Sequence, residues 1–195
     1  RRHPMADLLG MDPARIARLR SPERLEYFHP DRIWEVLEPT EITTLIDIGA
    51  GVGYLTLPFA SRYPKATVYG CDILEGMVGL LQADAAERRL DNVHSLVMQP
   101  ASVALPNDTA DIIVMGQLHH ELDDPDGLMA ECKRLLRPGG TIAIIDWADA
   151  DNGKSPPAGR RVPVSVMRTQ LEGAGFNRIE THTVFEYHTF MTGRG

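Results

Sequence analysis

The stretch Leu45-Ile-Asp-Ile-Gly-Ala-Gly-Val-Gly-Tyr-Leu-Thr-Leu57 decides the fold. Thr43, Thr44, Leu45, Ile46 and Ile48 surround a single acid, Asp47, and glycine then recurs at Gly49, Gly51 and Gly53. A short apolar, β-branched run of this kind reads as a buried strand over 43–48, and the residues after it as a helix over 54–62. Glycine between the two lets the backbone approach a ligand that a Cβ would block. The start of the following helix offers free N–H groups and the positive end of its dipole.

Working outward, the hydrophobic period switches repeatedly between strand and helix. Strands are expected at 67–71, 93–98, 112–115 and 141–145, with helices at 75–89 and 126–136 between them. Met77, Leu80, Leu81 and Ala85 mark the inner side of the first of these helices, and Leu128, Met129, Cys132 and Leu135 that of the second. A further helix over 164–173 closes at Gly173-Ala-Gly-Phe176, and two final strands are expected at 178–184 and 185–192. Strands alternating with helices imply parallel pairing, right-handed crossovers and a doubly wound α/β sheet covered on both faces. Residues 1–41 read as a helical segment, with Asp12-Pro13 and Ser21-Pro22 as helix starts, Leu25, Phe28, Ile33, Val36 and Leu37 as its apolar stripe, and Pro39 as its end. Residues 42–195 read as one domain.

The 195 residues carry a formal net charge of −7, which disfavours a phosphate-binding surface and therefore a nucleic-acid partner. No run approaches 18 apolar residues, so no membrane span is expected, and Arg1-Arg-His-Pro-Met-Ala-Asp-Leu-Leu-Gly10 lacks an apolar run of signal-peptide length. Cys71 and Cys132, without a CxxC, read as reduced thiols of a cytoplasmic protein, and no metal is expected.

The glycine spacing here is GxGxG rather than the GxGxxG of dinucleotide sites, and no phosphate lysine follows. Asp47 stands two residues before the first glycine, where a carboxylate repels a phosphate and suits an amine. Asp72 ends the second strand in Val68-Tyr-Gly-Cys-Asp72, the place from which an acid accepts bonds from ribose hydroxyls; capping the next helix is its other reading. A ligand with an amine, a ribose and no pyrophosphate fits S-adenosylmethionine. An NAD-linked reductase is the rival that GxGxG and Asp47 oppose.

At these residues the chain resembles a known family. Asp47-Ile-Gly-Ala-Gly-Val-Gly53, Cys71-Asp-Ile73, the run Asp111–Leu122 and Leu136-Arg-Pro-Gly-Gly140 look like the class I S-adenosylmethionine-dependent methyltransferases, small-molecule type, similar to the ubiquinone/menaquinone-biosynthesis methyltransferase and its relatives. The resemblance implies a Rossmann-like sheet of seven strands, the last antiparallel. It implies Asp47 at the methionine amine, Gly49, Ala50 and Gly51 against the cofactor, Asp72 on the ribose, Ile73 over the adenine, and Gly116 and Gln117 on the methionine side. An acid after the third strand usually takes the adenine amine; here Met98-Gln-Pro-Ala-Ser-Val-Ala-Leu-Pro106 has none, and Ala101 and Ser102 occupy the place. S-adenosylhomocysteine would be the product.

Chemistry on such a cofactor needs positioning and, for a nucleophile that carries a proton of high pKa, a base. Gly116-Gln-Leu-His-His-Glu-Leu-Asp-Asp-Pro125 offers His119, His120 and Glu121 as a base or substrate contact, and their other, favoured reading is packing of the following helix and sealing of the cofactor; of the two histidines His120 is preferred, since two neighbouring side chains cannot both enter one pocket. Asp146 is the second catalytic candidate, and a metal held by it with the histidines is the minor alternative. Trp147 is a candidate pocket wall, and Arg160-Arg161, in the Pro- and Gly-rich loop over 149–163, a candidate anion contact whose other reading is solvated loop charge. The N-terminal helices and this loop are the expected covers of a small-molecule substrate, and removal of residues 1–38 is expected to leave the sheet folded. A homodimer is kept open. The rival to an enzyme is a non-catalytic S-adenosylmethionine-binding regulatory or assembly module.

Overall fold

A computed structural model describes residues 11–42 and 44–195. Thr43 and residues 1–10 of the N-terminal segment lie outside the described residues. Three short helices come first, α1 (Pro13–Leu19), α2 (Arg24–Tyr27) and α3 (Asp31–Leu37). Then follow β1 (Thr44–Ile48), α4 (Thr56–Arg62), β2 (Thr67–Asp72), α5 (Glu75–Glu87), β3 (Val93–Val97), β4 (Ala110–Gly116), α6 (Pro125–Leu135), β5 (Leu136–Trp147), α7 (Val164–Gly173), β6 (Asn177–His182) and β7 (His188–Arg194). Seven strands form one sheet in the order β3-β2-β1-β4-β5-β7-β6. β1 pairs in parallel with β2 and β4, and only β7 runs antiparallel to its neighbours β5 and β6. The doubly wound, seven-stranded arrangement with an antiparallel last strand is thus present.

Alternate residues along the central strands divide the core. Ile46, Ile48, Ile113, Met115, Ile142 and Ile144 pack with Leu128, Met129 and Cys132 of α6 and Met167 and Leu171 of α7. Leu45, Ile112, Val114, Ala143 and Ile145 pack on the other face with Phe59 of α4 and with Phe28, Ile33 and Trp34 of the N-terminal segment. β1 and β4 diverge in connection, β1 leading by α4 to β2 and β4 by α6 to β5, so the sheet reverses direction between them. A crevice at the carboxyl ends of the strands opens at such a reversal.

Several expectations shift. Asp12 caps α1 through its side chain, Oδ1 accepting from Ala14 N at 3.0 Å. Ser21-Pro22 does not start a helix directly; α2 begins at Arg24, after a turn in which Ser21 Oγ accepts from Glu23 N. Leu25 is exposed, because the short α2 turns its other side inward. On α5, Val78 takes the buried place expected for Leu80. The largest correction concerns residues 1–38. Phe28, Ile33 and Trp34 are 2% exposed or less and form part of the sheet's covering layer. Each large side chain so buried contributes roughly 1.5–3 kcal/mol, so removing the segment strips one face of the core rather than sparing it. The closing Gly175 of α7 takes φ +87°, and Phe176 N reaches back to Leu171 O, as a helix C-terminus requires.

Candidate active site

The glycine turn is fastened before any ligand arrives. Gly49 N and Ala50 N both donate to Cys71 O (2.8 and 2.9 Å), and Gly51 N donates to Asp72 Oδ2 (2.9 Å). These donors are spent on the end of β2, so the turn offers no cradle of free N–H groups to a phosphate. Gly49, Gly51 and Gly53 all have positive φ. Their reasons differ: a Cβ on Gly53 would strike Leu81 and Leu57, whereas one on Gly51 would meet nothing and project into open space. Gly53 serves packing and Gly51 keeps a surface clear.

That surface is one wall of a cavity of about 890 Å³ at the reversal point of the sheet, within the ordinary size range of small-molecule sites. Asp47, Gly49, Ala50, Gly51, Asp72, Ile73, Gly116, Gln117 and His120 all line it. Asp47 is 2% exposed, and its Oδ2 accepts from Thr56 Oγ1 at 2.6 Å. Burial pushes its pKa up to about 7 against the pull of Thr56, so a cation entering the cavity would restore a charge that burial suppresses. Asp72 takes Leu74 N on Oδ1 and Gly51 N on Oδ2, so it ties the turn before α5 to the glycine turn and does not cap α5 itself. A carboxylate has about four acceptor positions, which leaves room for ribose hydroxyls. Ile73 stays 42% exposed as an apolar shelf.

Ala101 and Ser102 are not in the wall. Gln99 and Ser102 pair as an isolated antiparallel bridge, a tight reversal that leaves Ser102 exposed and sends Ala101 against the core. Met98 and Pro100 line the cavity instead.

Asp146 is also absent from the wall, for a different reason. It is 1% exposed and sits behind His120. Its Oδ1 meets His120 Nδ1 at 2.7 Å and Trp147 N at 2.9 Å, and its Oδ2 accepts from His120 N at 2.7 Å. A carboxylate only accepts, so Nδ1 carries the proton and Nε2 is left with its lone pair. Burial pushes the His120 pKa down, but the hydrogen bond and charge of Asp146, with Glu121, outweigh it and raise the ring above its ordinary value. His119 points away; its Nε2 meets Gln170 Oε1 of α7 at 2.7 Å. Among the described residues no cluster of three His, Cys, Asp or Glu side chains is placed to hold a metal ion. Cys71 is buried, and its thiol is pushed up to about 12 by that burial.

The cavity's remaining wall comes from Arg15, Arg18, Leu19, Arg24 and Phe28 of the N-terminal segment and from Trp147. Trp147 and Phe28 both stack with His188, their ring centroids 4.5 and 4.7 Å from its own. His188 arrives there because the antiparallel register pairs it with Trp147. Trp34 lies in the core against Phe59. Arg161 does not reach the cavity; it ties the 149–163 loop internally through Pro156 O and Asp151. Arg24, Tyr54, Met98 and His188 carried no local signal of a role.

A family profile described as "Methyltransferase domain" matches residues 46–144, about half of the chain and the part that holds the glycine turn, Asp72 and the His119-His120 pair. The chain belongs to the class I S-adenosylmethionine-dependent methyltransferases. A solved S-adenosylmethionine-dependent methyltransferase from Aquifex aeolicus is 32% identical, superposes with a TM-score of 0.87, and is covered to 98% of its length by 94% of this chain. The nocamycin O-methyltransferase of Saccharothrix syringae is 33% identical over 133 residues, 67% of this chain and 48% of the relative. The ubiquinone/menaquinone biosynthesis C-methyltransferase of Paracoccus denitrificans is 28% identical over 156 residues, 76% of this chain and 57% of the relative. The chain spans about half the length of these curated relatives.

The site fits the family's cofactor. A buried acid suits an ammonium, an acid at the end of β2 suits a ribose, an open glycine edge admits a ligand backbone, and the spent N–H groups of the turn do not select a phosphate. No helix among the described residues is long and apolar enough to cross a membrane.

Proposed function

We propose that the chain transfers a methyl group to a small-molecule acceptor, with His120 taking the acceptor's proton. The observation that carries this reading is the His120–Asp146 pair at the edge of a cavity roofed by the N-terminal segment. When bound, S-adenosylmethionine supplies a methyl group on a positively charged sulfur, and the sulfur leaves as a neutral thioether. In this reading Asp47 holds the ammonium, Gly49, Ala50 and Gly51 let the ligand lie close, Asp72 takes the ribose hydroxyls, Ile73 covers one adenine face, and Gly116 and Gln117 flank the methionine end.

His120 Nε2 accepts the proton from the acceptor's nucleophilic atom as the new bond to carbon forms. Asp146 does not touch the acceptor; it fixes the ring's tautomer and stabilises the imidazolium. The N-terminal helices act as a lid that excludes water. Two kinds of relative are named as O-methyltransferases, one for nocamycin and one for malonyl-[acyl-carrier protein], which favours an oxygen as the nucleophile.

The test is a methyl-transfer assay on small hydroxyl, carboxyl and amine acceptors, with tRNA and DNA in parallel. His120→Ala is expected to lower kcat by about 10²–10⁴ and to leave S-adenosylhomocysteine affinity unchanged. It should also remove the limb of the pH–rate profile in which activity rises as the imidazolium deprotonates. Activity within twofold of the parent would remove His120 from the mechanism. Methylation confined to tRNA or DNA would overturn the small-molecule reading. A protein that binds the cofactor and methylates nothing would favour the non-catalytic module.

A further inference from the structure

Arg24 lies outside the segment that carries the family pattern, on the short helix α2. It is 7% exposed and lines the same cavity as Asp47. Its Nη1 donates to Leu19 O at 2.8 Å and its Nη2 to Gln117 Oε1 at 2.7 Å, and its guanidinium sits 3.8 Å over the Tyr54 ring. The Tyr27 side chain also hydrogen-bonds it, and none of these partners is a carboxylate. Among the described residues no carboxylate pairs with it. A guanidinium does not shed its proton, and burying an uncompensated cation is costly. Leu19 O and Gln117 Oε1 take two of its five N–H groups and the Tyr27 side chain faces a further one, which leaves N–H groups for a ligand. Arg15 and Arg18 also line the cavity, but Arg15 has Glu121 at 3.8 Å and Arg18 is exposed.

The guanidinium is held in place by a hydrogen-bond chain of fixed direction. Arginine only donates, so the amide oxygen of Gln117 faces it. The Gln117 NH2 group therefore faces His188, whose Nε2 lies 2.8 Å away and must accept. Nδ1 of His188 then carries the proton, and it is buried without a partner among the described residues. Burial lowers the His188 pKa to about 4, which keeps the ring neutral and the chain intact at neutral pH. Gln117 itself sits at φ +55°, a left-handed conformation rare for its residue type, held by its N–H on Ile145 O at 2.7 Å. Its side chain is aimed at Arg24 by the backbone of β4's end and by β7 together.

The amino-acid end of S-adenosylmethionine carries an ammonium beside a carboxylate. Asp47 supplies the acid for the first. We infer that Arg24, set by Gln117 and His188, binds the carboxylate, and that this contact fastens α2 over the cavity when the cofactor enters. The ligand thereby becomes the counter-ion that the buried cation lacks, and cofactor binding completes the roof against which the acceptor rests.

Calorimetry with S-adenosylmethionine and its decarboxylated analogue tests this, because the two differ only in the carboxylate. The parent protein is expected to prefer S-adenosylmethionine by about 10- to 100-fold, as befits charge-assisted hydrogen bonds, and Arg24→Gln to bind both alike. Gln117→Leu keeps the cation but frees it, and is expected to lose part of the preference. Hydrogen exchange of the parent protein gives a second readout that needs no variant: S-adenosylmethionine should slow exchange over 19–37, and the decarboxylated analogue should not. A preference absent from the parent, or one that survives in Arg24→Gln, overturns the assignment; the second result also follows if Arg24 serves an acidic acceptor instead. Equal protection by both ligands overturns the fastening. If Arg24→Gln does not melt cooperatively, Arg24→Lys and the exchange experiment decide. None of these readings depends on which acceptor is methylated.

Discussion

The glycine-turn wall and the Arg24–Gln117–His188 wall of the cavity are built by opposite means. The first is local. Asp47, the glycines and Thr56 fall within ten residues, and Asp72 ends the neighbouring strand. The second joins residues 93 and 71 positions apart, from α2, the end of β4 and the start of β7. The local wall presents acids, the assembled wall a buried cation. In the reading proposed above, one cavity meets a zwitterion by two means: a carboxylate written into a strand–turn motif, and a guanidinium that only the packed N-terminal segment delivers.

If the second wall depends on the packing of that segment, Trp34→Ala should disrupt it most. Trp34 is 2% exposed against Phe59, and its loss is expected to destabilise the protein by about 3–5 kcal/mol, read as a lowered midpoint in chemical denaturation. A loss below about 1 kcal/mol would mean that the segment is a detachable cover after all.

The local wall should answer to ligand affinity instead. Asp47→Ala is expected to weaken S-adenosylhomocysteine binding by about 1–3 kcal/mol, measured by calorimetry. Affinity unchanged in that variant would free Asp47 from its role.

The pH dependence of the two walls differs in sign. The folded pKa of Asp47 is raised to about 7 from 3.8. The folded chain therefore holds the proton between about pH 4 and 7, where the unfolded chain has lost it, and the contribution of Asp47 to stability falls as pH rises through that window. A bound ammonium favours the ionised form, so S-adenosylhomocysteine affinity should rise by up to about tenfold per pH unit below pH 7 and lose this slope in Asp47→Asn. His188, lowered to about 4 from 6.5, contributes stability that is present above pH 6.5 and lost as pH falls toward 4. Calorimetric titrations from pH 5.5 to 7.5 check the Asp47 slope; a flat profile in the parent would place its pKa elsewhere.

The alternation of β-branched runs with amphipathic helices determined the doubly wound sheet, because strand and helix impose different periods on the apolar residues that must be buried. The spacing of Asp47, Gly49, Gly51 and Asp72 determined the cofactor, because strand, turn and strand end lie close along the chain and short-range geometry fixes where their side chains go. His120 was legible for the same reason, at the end of β4. What only the tertiary structure decided has the opposite character. Asp146 turned out to stand behind His120 rather than in the cavity, since that depends on how the ends of β4 and β5 sit against each other. Ser102 turned outward because a tight bridge with Gln99 overrode its place after β3. Trp34 became core and Arg24 became wall because a short helix with no strong period of its own takes its inner side from the surface it meets. His188 reached the cavity only through the antiparallel register of β7 on β5. Long-range pairing leaves no mark in local spacing, so the half of the site that depends on it had to be seen folded.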